Sequence, residues 1–464
     1  LKTAMVLPLL KKPSLEKVYK NYRPVSNLPY VSKIIEKVVA KRLTDHIRVH
    51  KLDDSHQSAY KQYHGTETAL LRVKNDLLMA IDGQKVALLL LLDLSAAFDT
   101  VDHAILLHRL EAYTGLSGDA LKWMTSYLEQ RKQYVSVQGC SSQTNDLKYG
   151  VPQGSVLGPI LFTIYLIPLH EIMLKHGIDY EIYADDNQLY IVFKPIRATQ
   201  ALHKMEACVE EIRKWMAINK LKFNDEKTEA LLIRSPQQLN KVNIQSVSVG
   251  SAQVQPATSA RNLGVVFDQH LTMRPHIQNI VKSAWYHLRN LFQIRKYMNQ
   301  SASETLVHAF ITSRLDNGNS LFMGLPDCTI KHLQLIQNSA ARVVMKKRKY
   351  DHITPVLKSL HWLPVQYRIQ YKVITMTFKA IHGIAPQYLC DLVAEKKSTR
   401  TLRSNNQNLL VIPKTKNVTH GDCAFQVAGP RLWNELPPEL RAVDSFVKFK
   451  SMLKTVLFVR AYNI

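Results

Sequence analysis

Adjacent acidic residues are the first feature of this sequence that suggests chemistry. Asp185 and Asp186 lie in the run Glu181-Ile-Tyr-Ala-Asp-Asp-Asn-Gln-Leu-Tyr-Ile-Val192, where two stretches with alternating apolar residues flank the polar residues 185–187. This pattern predicts a β-hairpin with two carboxylates at its tip. Because like charges this close repel each other, we expect a cation to neutralise them. We therefore interpret the pair as part of a metal site.

A third carboxylate, Asp93, directly follows the apolar run 85–92. A run of this length predicts a strand buried on both faces, and a carboxylate at its end lies at the rim of the sheet. Taken alone, Asp93 could equally cap a turn, as Asp99 or Asp102 could cap the following helix. Together with the hairpin acids it suggests phosphoryl transfer by two Mg²⁺ ions about 3.5–4 Å apart, held by carboxylates and substrate phosphates.

Two further segments carry polar residues at predicted turns. In Gly150-Val-Pro-Gln-Gly-Ser-Val-Leu-Gly-Pro159, the glycines allow the backbone to approach a ligand before the next helix begins. An ordinary strand-to-helix turn would not explain the central Gln153. Lys227, in Asn224-Asp-Glu-Lys-Thr-Glu229, could donate a proton to departing pyrophosphate. From spacing alone, a solvated turn lysine explains Lys227 equally well.

Composition limits the class of protein and its partners. The chain has 464 residues, of which 46% are hydrophobic, so we expect two or three globular domains. Lys and Arg total 61 against 37 acids, a net charge of +24 that favours nucleic acid as partner. The five cysteines form no Cys-x-x-Cys pair, which argues against a zinc knuckle or a disulfide framework. The apolar run 86–92 is much shorter than the roughly 20 residues of a spanning helix, so we expect an intracellular protein without a membrane partner.

The elements that must position these residues follow from hydrophobic periodicity. Residues 1–35 are expected to be extended and loop-like. Helices are predicted over 36–50, 66–81, 103–114, 118–131, 155–173, 197–219, 273–298, 300–315 and 328–346. Strands are predicted over 85–92, 133–138, 144–150, 228–233, 244–249 and 261–267, besides the hairpin. The last 115 or so residues mix helix with proline-bounded loops such as 361–364 and 429–433. The pattern is thus an α/β half followed by a mainly helical half.

Six motifs occur in order along the chain. They are Asn21-Tyr-Arg-Pro-Val-Ser-Asn-Leu-Pro29, Leu92-Asp-Leu-Ser-Ala-Ala-Phe-Asp99, Gly150-Val-Pro-Gln-Gly-Ser155, Tyr183-Ala-Asp-Asp186, Asn224-Asp-Glu-Lys-Thr-Glu229 and Leu263-Gly-Val-Val-Phe-Asp268. This set resembles the reverse transcriptase of LINE-type (non-LTR) retrotransposons over about residues 1–270. The tail through residue 464 is similar in style to the C-terminal region of those elements. One motif alone would be weak, whereas six in order at matching spacing form a specific signature.

The resemblance implies an α+β fold, a right-hand polymerase of fingers, palm and thumb. An antiparallel palm sheet would be followed by a mainly helical C-terminal region. Fingers and palm would occupy residues 1–270, and a helical thumb-like region residues 271–346. Residues 347–464 would form a C-terminal region of unknown function. We also expect the chain to be a fragment that lacks the N-terminal endonuclease usual in such elements, and so does not cleave its own target.

The resemblance also implies roles for individual residues. Asp93, Asp185 and Asp186 would hold two Mg²⁺ ions, with Mn²⁺ as a substitute, and Lys227 would be the general acid. Phe98 would block a ribose 2′-hydroxyl. The remaining implied sites are the triphosphate clamp (Arg23 with Lys11 or Lys12), the nucleotide-positioning loop (Gln153 and Gly154) and the primer grip (Leu263 and Gly264).

Two residues depart from the family pattern, and two further features have roles that the sequence leaves open. Asn187 stands where relatives often carry Thr, a change expected to be mild, and Lys61 replaces an Arg in the stretch Gln57-Ser-Ala-Tyr-Lys61. The basic run Lys346-Lys-Arg-Lys349 could be a nuclear localisation signal, a phosphate-contacting patch or a solvated helix end. Trp362 and Trp433 could stack on bases, although packing within the tail is the better interpretation.

These features predict an RNA-directed DNA polymerase that uses an RNA template, a DNA primer or target, and deoxynucleotides. An RNA-directed RNA polymerase would share the acid geometry, but the bulky Phe98 argues against it. An inactive or co-opted remnant that only binds nucleic acid is the non-enzyme alternative. We expect a nuclear protein with a cytoplasmic ribonucleoprotein stage.

Overall fold

The computed structural model describes residues 2–94, 98–238, 241–396 and 408–464. Among these residues the named strands lie within the first 270 positions. The strands, in chain order, are β1 (Thr3–Leu10), β2 (Tyr22–Asn27), β3 (Val86–Leu92), β4 (Lys132–Val137), β5 (Cys140–Ser141), β6 (Asn145–Asp146), β7 (Asp179–Tyr183), β8 (Asp186–Phe193), β9 (Glu229–Ile233), β10 (Val247–Val249), β11 (Ala252–Val254), β12 (Pro256–Ala257), β13 (Ser259–Asn262) and β14 (Val265–Asp268).

Helices alternate with these strands and then fill the C-terminal part of the chain. They are α1 (Tyr30–His50), α2 (Thr66–Asp82), α3 (His103–Thr114), α4 (Gly118–Leu128), α5 (Gly158–Tyr165), α6 (Leu169–Lys175), α7 (Ala198–Ile218), α8 (Arg274–Ile294), α9 (Gln300–Val307), α10 (Ser313–Asp316), α11 (Asp327–Met345), α12 (Ile353–Ser359), α13 (Val365–Ile381), α14 (Gln387–Cys390), α15 (Phe425–Asn434), α16 (Pro438–Arg441) and α17 (Phe446–Tyr462). The predicted order, a mixed half followed by a mainly helical half, is confirmed.

The central sheet has the strand order β12–β9–β3–β8–β7. β3 pairs antiparallel with both β8 and β9, β7 pairs antiparallel with β8, and β12 joins β9 in parallel. Leu89 faces a core that contains α2, whereas Leu88 and Leu90 face a core that contains α5 and α7. Because both faces of β3 are covered, its sequence is continuously apolar instead of alternating.

A second sheet begins with the first two strands of the chain and also contains β4, β5 and β6, which follow β3; it is called the N-terminal sheet below. Its order is β2–β1–β4–β5, with β6 pairing to β4. β1 and β2 form an antiparallel pair in which Leu9 lies opposite Arg23, and β4 runs parallel to β1. The segment predicted as extended and loop-like therefore contains two paired strands, and α1 begins at Tyr30, six residues before the predicted start.

The C-terminal helices complete the core beneath the central sheet. One apolar cluster contains Leu77 of α2, Leu89 of β3, Phe378 of α13 and Leu453 of α17. Trp433 of α15 joins it with 1% of its surface exposed, and its ring N–H donates to the backbone oxygen of Asn408. Trp362 is 6% exposed. Packing within the tail is thus confirmed for both tryptophans, and base stacking on them is wrong. The divisions at 270 and 346 stay predictions.

Several predicted elements differ from the observed ones. The helix predicted over 155–173 is two helices, α5 and α6, because Pro168 between them has no N–H to continue the first. The strand predicted over 144–150 is reduced to the two-residue β6. The strand predicted over 261–267 is the hairpin of β13 and β14. The loop predicted over 429–433 lies inside α15, where Gly429 allows a close approach to Thr377 of α13.

One helical stretch, Gly158–Lys175, passes the length and composition test for a membrane span, contrary to the sequence expectation. Its mean hydropathy is 1.2, and 56% of it is buried inside the protein. It packs in the apolar core that contains the even-numbered residues of β3, with Leu161 and Phe162 fully buried. This burial is what a core helix shows, so length and composition alone do not indicate a membrane.

Candidate active site at the end of the central sheet

Asp93 follows β3 and is held in place by the segment that precedes β9. The backbone N–H of Asn224 donates to the backbone oxygen of Asp93 at 2.9 Å, and Leu94 forms an isolated bridge with Phe223. The side-chain amide of Asn224 donates to Asp93 Oδ2 at 3.3 Å, and Lys227 Nζ lies 2.5 Å from the same oxygen. The Asp93 carboxylate therefore lies at the rim of the sheet, as predicted, with a lysine as its counter-ion.

The acidic pair lies at the turn between β7 and β8. Tyr183 pairs with Asp186, which leaves Ala184 and Asp185 as a two-residue turn. Ala184 has φ of 59°, a conformation that tight hairpin turns require and that costs a non-glycine residue about 1–3 kcal/mol. The hairpin prediction is confirmed, but the tip is one residue earlier than predicted, because Asp186 and Asn187 already pair within β8. The buried Asn187 amide donates to the Asp185 backbone oxygen at 3.1 Å and so closes the turn.

Strand register brings the three carboxylates to one end of the sheet. Leu92 of β3 pairs with Asn187 of β8, so the next residue, Asp93, lies beside Asp186. Burial, together with the negative charges of Asp185 and Asp93, raises the pKa of Asp186 to about 6, although the charge of Lys227 opposes the shift. Burial likewise raises the pKa of Asp185, again with a contribution from Asp93. The acids therefore share one electrostatic environment.

This environment suits a divalent cation. Partly buried carboxylates that repel one another are stabilised by a positive charge, and oxygen donors are what Mg²⁺ prefers. Among the described residues, no three His, Cys, Asp or Glu side chains already surround a common point as a ready metal cage. Mg²⁺ usually takes only one or two carboxylates and completes its shell with water and substrate phosphates. The residues present fit that partial mode of binding, in which substrate contributes to the site.

A cleft of about 390 Å³ opens beside these groups. Asp93, Asp186 and Lys227 line it together with Arg261 and Leu263. Leu263 and Gly264 form the turn between β13 and β14, with φ of 44° and 88°. Both predicted primer-grip residues thus lie in one tight turn, and the turn borders the same cleft as the acids.

A buried hydrogen bond fixes that turn to the catalytic strand. Asn262, the last residue of β13, donates its side-chain amide to the Gln188 side-chain oxygen at 2.6 Å. Both side chains are buried, and Gln188 lies two residues after Asp186 in β8. The hairpin and the acids therefore keep a fixed relative position.

The glycine-rich loop lies between the N-terminal sheet and the segment that follows β3. A side chain on Gly150 would approach the Asp99 backbone oxygen to 2.8 Å, and one on Gly154 would approach the Ser26 backbone oxygen to 2.6 Å. Both glycines have positive φ, 83° and 123°. Ser26 N–H donates to the Gln153 backbone oxygen at 2.8 Å, while Gln153 Oε1 is buried and has no hydrogen-bond partner among the residues that the structure describes. The loop is thus closely packed around a buried side-chain oxygen.

Phe98 lies beside that loop. Its ring contacts the buried Phe162 of α5, with centroids 4.6 Å apart, and its backbone oxygen accepts a hydrogen bond from Val151. Residues 95–97 of the same motif lie outside the described residues. Asp102 caps α3 by accepting from Ala104 and Ile105, so the ordinary capping interpretation is confirmed for this acid.

The predicted triphosphate clamp belongs to the N-terminal sheet. Arg23 of β2 is exposed, and its positive charge acts to lower the pKa of Asp185, so the guanidinium lies within electrostatic reach of the acids. Lys11 and Lys12 are exposed in the turn that follows β1, and the Lys11 N–H donates to the Asn21 backbone oxygen at 2.8 Å. The structure connects Arg23 electrostatically to the acidic turn.

Sequence reasoning missed Gln57 as a residue of this site. Gln57 is 4% exposed, and its Oε1 accepts from the Ala59 N–H at 2.9 Å and from the Ala184 N–H at 3.2 Å. It therefore supports the strained residue next to Asp185. Tyr60, three residues later, has φ of 61°. Burial is the main cause that raises the pKa of Tyr60, and the negative charge of Asp185 is the second. The family-like stretch Gln57–Lys61 contains this residue, but its sequence pattern distinguishes only Lys61.

Comparison with known proteins decides the family. Residues 10–267 match the family model described as reverse transcriptase (RNA-dependent DNA polymerase). The chain belongs to the reverse transcriptase family. The match covers the central sheet, nearly all of the β13–β14 hairpin, and the N-terminal sheet apart from β1, of which it includes only Leu10. It confirms the resemblance inferred from the ordered motifs, together with the right-hand polymerase class and a nucleotidyltransferase domain.

Curated relatives come from mobile elements of insects. The chain is 26% identical over 387 residues to the "probable RNA-directed DNA polymerase from transposon BS" of Drosophila melanogaster, covering 79% of this chain and 41% of the relative. It is 29% identical over 286 residues to the "RNA-directed DNA polymerase from mobile element jockey" of the same species, covering 60% of this chain and 30% of the relative. The chain therefore spans about two fifths or less of the length of these relatives.

Solved structures show only distant similarity. A telomerase from Candida tropicalis, solved with a fragment of telomeric RNA, aligns with a TM-score of 0.42 at 10% identity, covering 98% of this chain and 64% of that chain. An insertion-loop deletion mutant of the RNA-dependent RNA polymerase of a human picorbirnavirus aligns with a TM-score of 0.38 at 14% identity, covering 77% of this chain and 64% of that chain. Neither similarity adds to the assignment made by the family match.

Proposed function

We propose that this protein is an RNA-directed DNA polymerase of a non-LTR retrotransposon. It would add deoxynucleotides to the 3′-hydroxyl of a DNA primer along an RNA template. The observation that carries the proposal is the convergence of Asp93 with Asp185 and Asp186 at the ends of β3 and β8, within a reverse transcriptase domain. In such a reaction the protein contributes mainly alignment and electrostatic stabilisation.

The acidic residues would bind two Mg²⁺ ions, for which Mn²⁺ could substitute. When bound, such ions supply positive charge to the attacking and leaving oxygens of an in-line displacement. Asn224 holds the Asp93 carboxylate in place by donating to Oδ2, and Gln57 holds the turn that carries Asp185. These contacts limit the movement of the acids before substrate binds, which favours catalysis by preorganisation.

Lys227 has two roles in this proposal. Its ammonium lies 2.5 Å from Asp93 Oδ2 and offsets part of the negative charge of the acids. The lysine side chain is 64% exposed, so it has room to turn toward the departing pyrophosphate and donate a proton. Arg23, with Lys11 or Lys12, would bind the triphosphate, since guanidinium groups form paired hydrogen bonds with phosphate oxygens.

The glycine-rich loop and Phe98 would bind the sugar and base of the incoming nucleotide. The close approach of Gly154 to Ser26 leaves no space for a larger residue, and the buried Gln153 Oε1 is available to accept a hydrogen bond. The Phe98 ring rests against Phe162 and therefore cannot retreat easily from a 2′-hydroxyl. Selection of deoxynucleotides would follow from this steric restriction.

The metal-site assignment is tested by Asp185→Asn in a primer-extension assay on poly(rA)/oligo(dT). Loss of one charge-stabilising group is expected to lower kcat on the order of 100-fold. Asp119→Asn is the matched control, since its side chain is 98% exposed and pairs only with Lys122 among the described contacts. Equal incorporation by the Asp185 variant and the parent would reject the assignment. If the parent binds the template but incorporates no nucleotide, the alternative of a protein that only binds nucleic acid is established instead.

Sugar selection is tested by comparing dNTP with NTP incorporation before and after Phe98→Ala. The parent is expected to prefer dNTPs, and the variant to lose about 10-fold or more of that preference. Phe310→Ala, at a 40% exposed position of the C-terminal half, is the control. A preference of the parent for ribonucleotides would favour the RNA polymerase alternative.

The partners proposed here are an RNA template, a DNA primer or target, and dNTPs. The support is the family match together with the excess of basic residues. A nuclear location, with a cytoplasmic ribonucleoprotein stage, follows from the proposed reaction on a DNA target. Immunofluorescence of the tagged chain against a nuclear marker tests it, and exclusion from the nucleus would contradict it.

A further inference from the structure

A groove of about 1000 Å³ runs between the C-terminal halves of α8 and α11, and it is called the basic groove below. One wall comes from α8 and the residues Arg295 and Lys296 that follow it. The other wall comes from the end of α11 and the run Lys346–Lys349. Leu288 and Val343 are buried beneath it, at 3% and 7% exposure. The groove therefore has an apolar floor and cationic walls.

The two sequence segments that form the walls carry Lys and Arg residues but no Asp or Glu. The sequence between Asp268 and Glu304 has five Lys or Arg residues and no acid, and the sequence between Asp327 and Asp351 has six and no acid. The nearest acid in sequence, Asp351, accepts from the backbone N–H of Arg348 at 2.7 Å. That carboxylate shapes the basic run and leaves the lysine ammonium groups exposed. A polyanion is the partner that such a surface attracts.

Aromatic side chains alternate with cations along the α8 wall. Trp285, Arg289 and Phe292 follow at intervals of four and three residues, which places them on one stripe of α8. Lys296 comes four residues after Phe292, in the short turn just beyond the end of the helix. Trp285 is 45% exposed and Phe292 is 72% exposed. Large aromatic rings exposed beside cations are typical of surfaces on which unpaired bases stack while phosphates contact the cations. A double helix would offer these rings no free base face.

Buried hydrogen bonds hold the two walls of the basic groove in a fixed relative position. The guanidinium of Arg295, 8% exposed, donates to the backbone oxygens of Val343 at 2.5 Å, Val344 at 2.7 Å and Met298 at 2.6 Å. These bonds fix the end of α8 against the end of α11. The separation of the two walls is thus set before any ligand binds, which lowers the entropy cost of binding.

The basic groove lies along the C-terminal half of α8, whereas the cleft beside the acids is bordered by the β13–β14 hairpin. The start of α8 packs on β14, next to the cleft, and Trp285 lies eleven residues further along the helix, about 16 Å at 1.5 Å per residue. We propose that the basic groove binds a single-stranded nucleic acid, with bases stacked on Trp285 and Phe292 and phosphates held by Arg289, Lys296 and the Lys346–Lys349 run. This site goes beyond the proposed polymerase function and would operate even in a chain without catalytic activity.

Binding is measured by fluorescence anisotropy with the full chain, using labelled oligo(U), oligo(dT) and a blunt duplex of equal length. Trp285→Ala with Phe292→Ala is expected to weaken single-strand binding about 10-fold or more, because each stacked base contributes substantially. Tyr286→Ala is the control, since Tyr286 is 64% exposed on α8 but does not line the groove. Stronger oligo(U) than oligo(dT) binding would identify RNA as the ligand, and the reverse would identify DNA. Either result supports the site.

Charge is tested separately by Lys346→Gln, Lys347→Gln and Lys349→Gln in one chain. The triple variant is expected to bind single strands at least 10-fold more weakly, with a smaller dependence on salt, about 0.7 less in log–log slope for each lost phosphate contact. A variant with the same charge change at the exposed Lys448, Lys450 and Lys454 of α17 is the control. Equal losses in the two triple variants would overturn the proposal, because only net charge would then matter.

Two other outcomes would also overturn it. The first is duplex binding as strong as single-strand binding and unaffected by the aromatic substitutions. The second is unchanged nucleic-acid binding in the lysine variant together with loss of nuclear accumulation, which would assign Lys346–Lys349 to an import receptor. Titrations are made below the thermal midpoint of each variant, so that lost binding reports on the groove and not on unfolding. Repeating the titrations in the Asp185→Asn chain separates this site from catalysis, because binding there does not depend on nucleotide addition.

Discussion

Gln57 shows how one buried side chain can determine the geometry of a catalytic turn. Ala184 adopts a backbone conformation that alanine disfavours, and the Gln57 side-chain oxygen accepts the hydrogen bond of its N–H. A strained turn of this kind persists only when its surroundings hold it. The acids at the rim of the sheet therefore depend on a residue more than 120 positions earlier in the chain.

We predict that Gln57→Ala lowers kcat of primer extension about 10-fold or more, while the KM for dNTP changes little. The acceptor of the Ala184 N–H is lost, so Asp185 is held less accurately, whereas the triphosphate clamp is untouched. Gln143→Ala, at an exposed loop position, is the control. A variant with unchanged kcat would show that the turn holds its shape without Gln57. Circular dichroism of both variants checks that the fold is kept.

Glu181 gives a pH-dependent prediction. It is fully buried, and burial raises its pKa to about 8, although Ser58 and Arg72 oppose this. The unfolded chain ionises Glu181 near its ordinary pKa of 4.5, so between about pH 4.5 and 8 the unfolded state alone carries the charge. Native Glu181 therefore costs increasing stability as pH rises through this window. Below the window both states are protonated and the cost is absent.

Glu181→Gln keeps the size and the acceptor oxygen but removes the titration. We expect its thermal midpoint to equal that of the parent near pH 4.5 and to exceed it progressively toward pH 8. Glu129→Gln, at an exposed position, should track the parent at every pH. A constant difference between Glu181→Gln and the parent across this range would contradict the assigned cause. Scanning calorimetry at several pH values makes the measurement.

At the scale of elements, the β13–β14 hairpin is positioned by the bond between Asn262 and Gln188. We predict that Asn262→Ala destabilises the fold by about 1–3 kcal/mol, because Gln188 is left buried without its partner. Primer extension should also terminate earlier, since the Leu263–Gly264 turn loses its anchor. Gln253→Ala, which removes two exposed hydrogen bonds (with Ser246 and Ser248) at the β10–β11 hairpin, should change stability by less than about 0.5 kcal/mol. Equal effects of the two substitutions would count against a special role for the buried bond.

Elements with a continuous periodic pattern were predictable from sequence. The helix predicted over 66–81 is observed as Thr66–Asp82, and the strand predicted over 85–92 as Val86–Leu92, since both are amphipathic or apolar throughout. Elements whose conformation depends on a contact with a distant part of the chain were not predictable from local sequence. Close contact between Gly429 and Thr377 keeps α15 helical where proline suggested a loop. The positions of the acids followed from local pattern, whereas the contact of Gln57 with Ala184 has no sequence period that could reveal it.

At the scale of the whole molecule, the C-terminal region is bound to α2. The Asp82 carboxylate accepts from the backbone N–H groups of Lys416 at 3.0 Å and Asn417 at 2.7 Å. Asn75 exchanges two hydrogen bonds with Gln426, each at 3.0 Å. α2 packs directly beneath β3, so these contacts connect the tail to the sheet that carries the acids.

We predict that Asp82→Ala destabilises the protein by about 2–4 kcal/mol, because the backbone groups of Lys416 and Asn417 lose a charged acceptor while partly buried. Asp119→Ala, at an exposed position, should have almost no effect. Chemical denaturation of the full chain measures both. An unchanged midpoint for Asp82→Ala would mean that the tail is attached mainly by its apolar contacts.

The hydroxyl of Tyr388 lies 2.9 Å from Ser58 Oγ, and Ser58 in turn donates to Glu181 in the strand that leads to the acidic turn. Residue 388 must therefore leave the ribosome before this chain of contacts can form. A polypeptide truncated before Tyr388 would keep every acidic residue named above and still lack the contact that supports Glu181 through Ser58. Such a truncated product should consequently fold less stably than the chain described here.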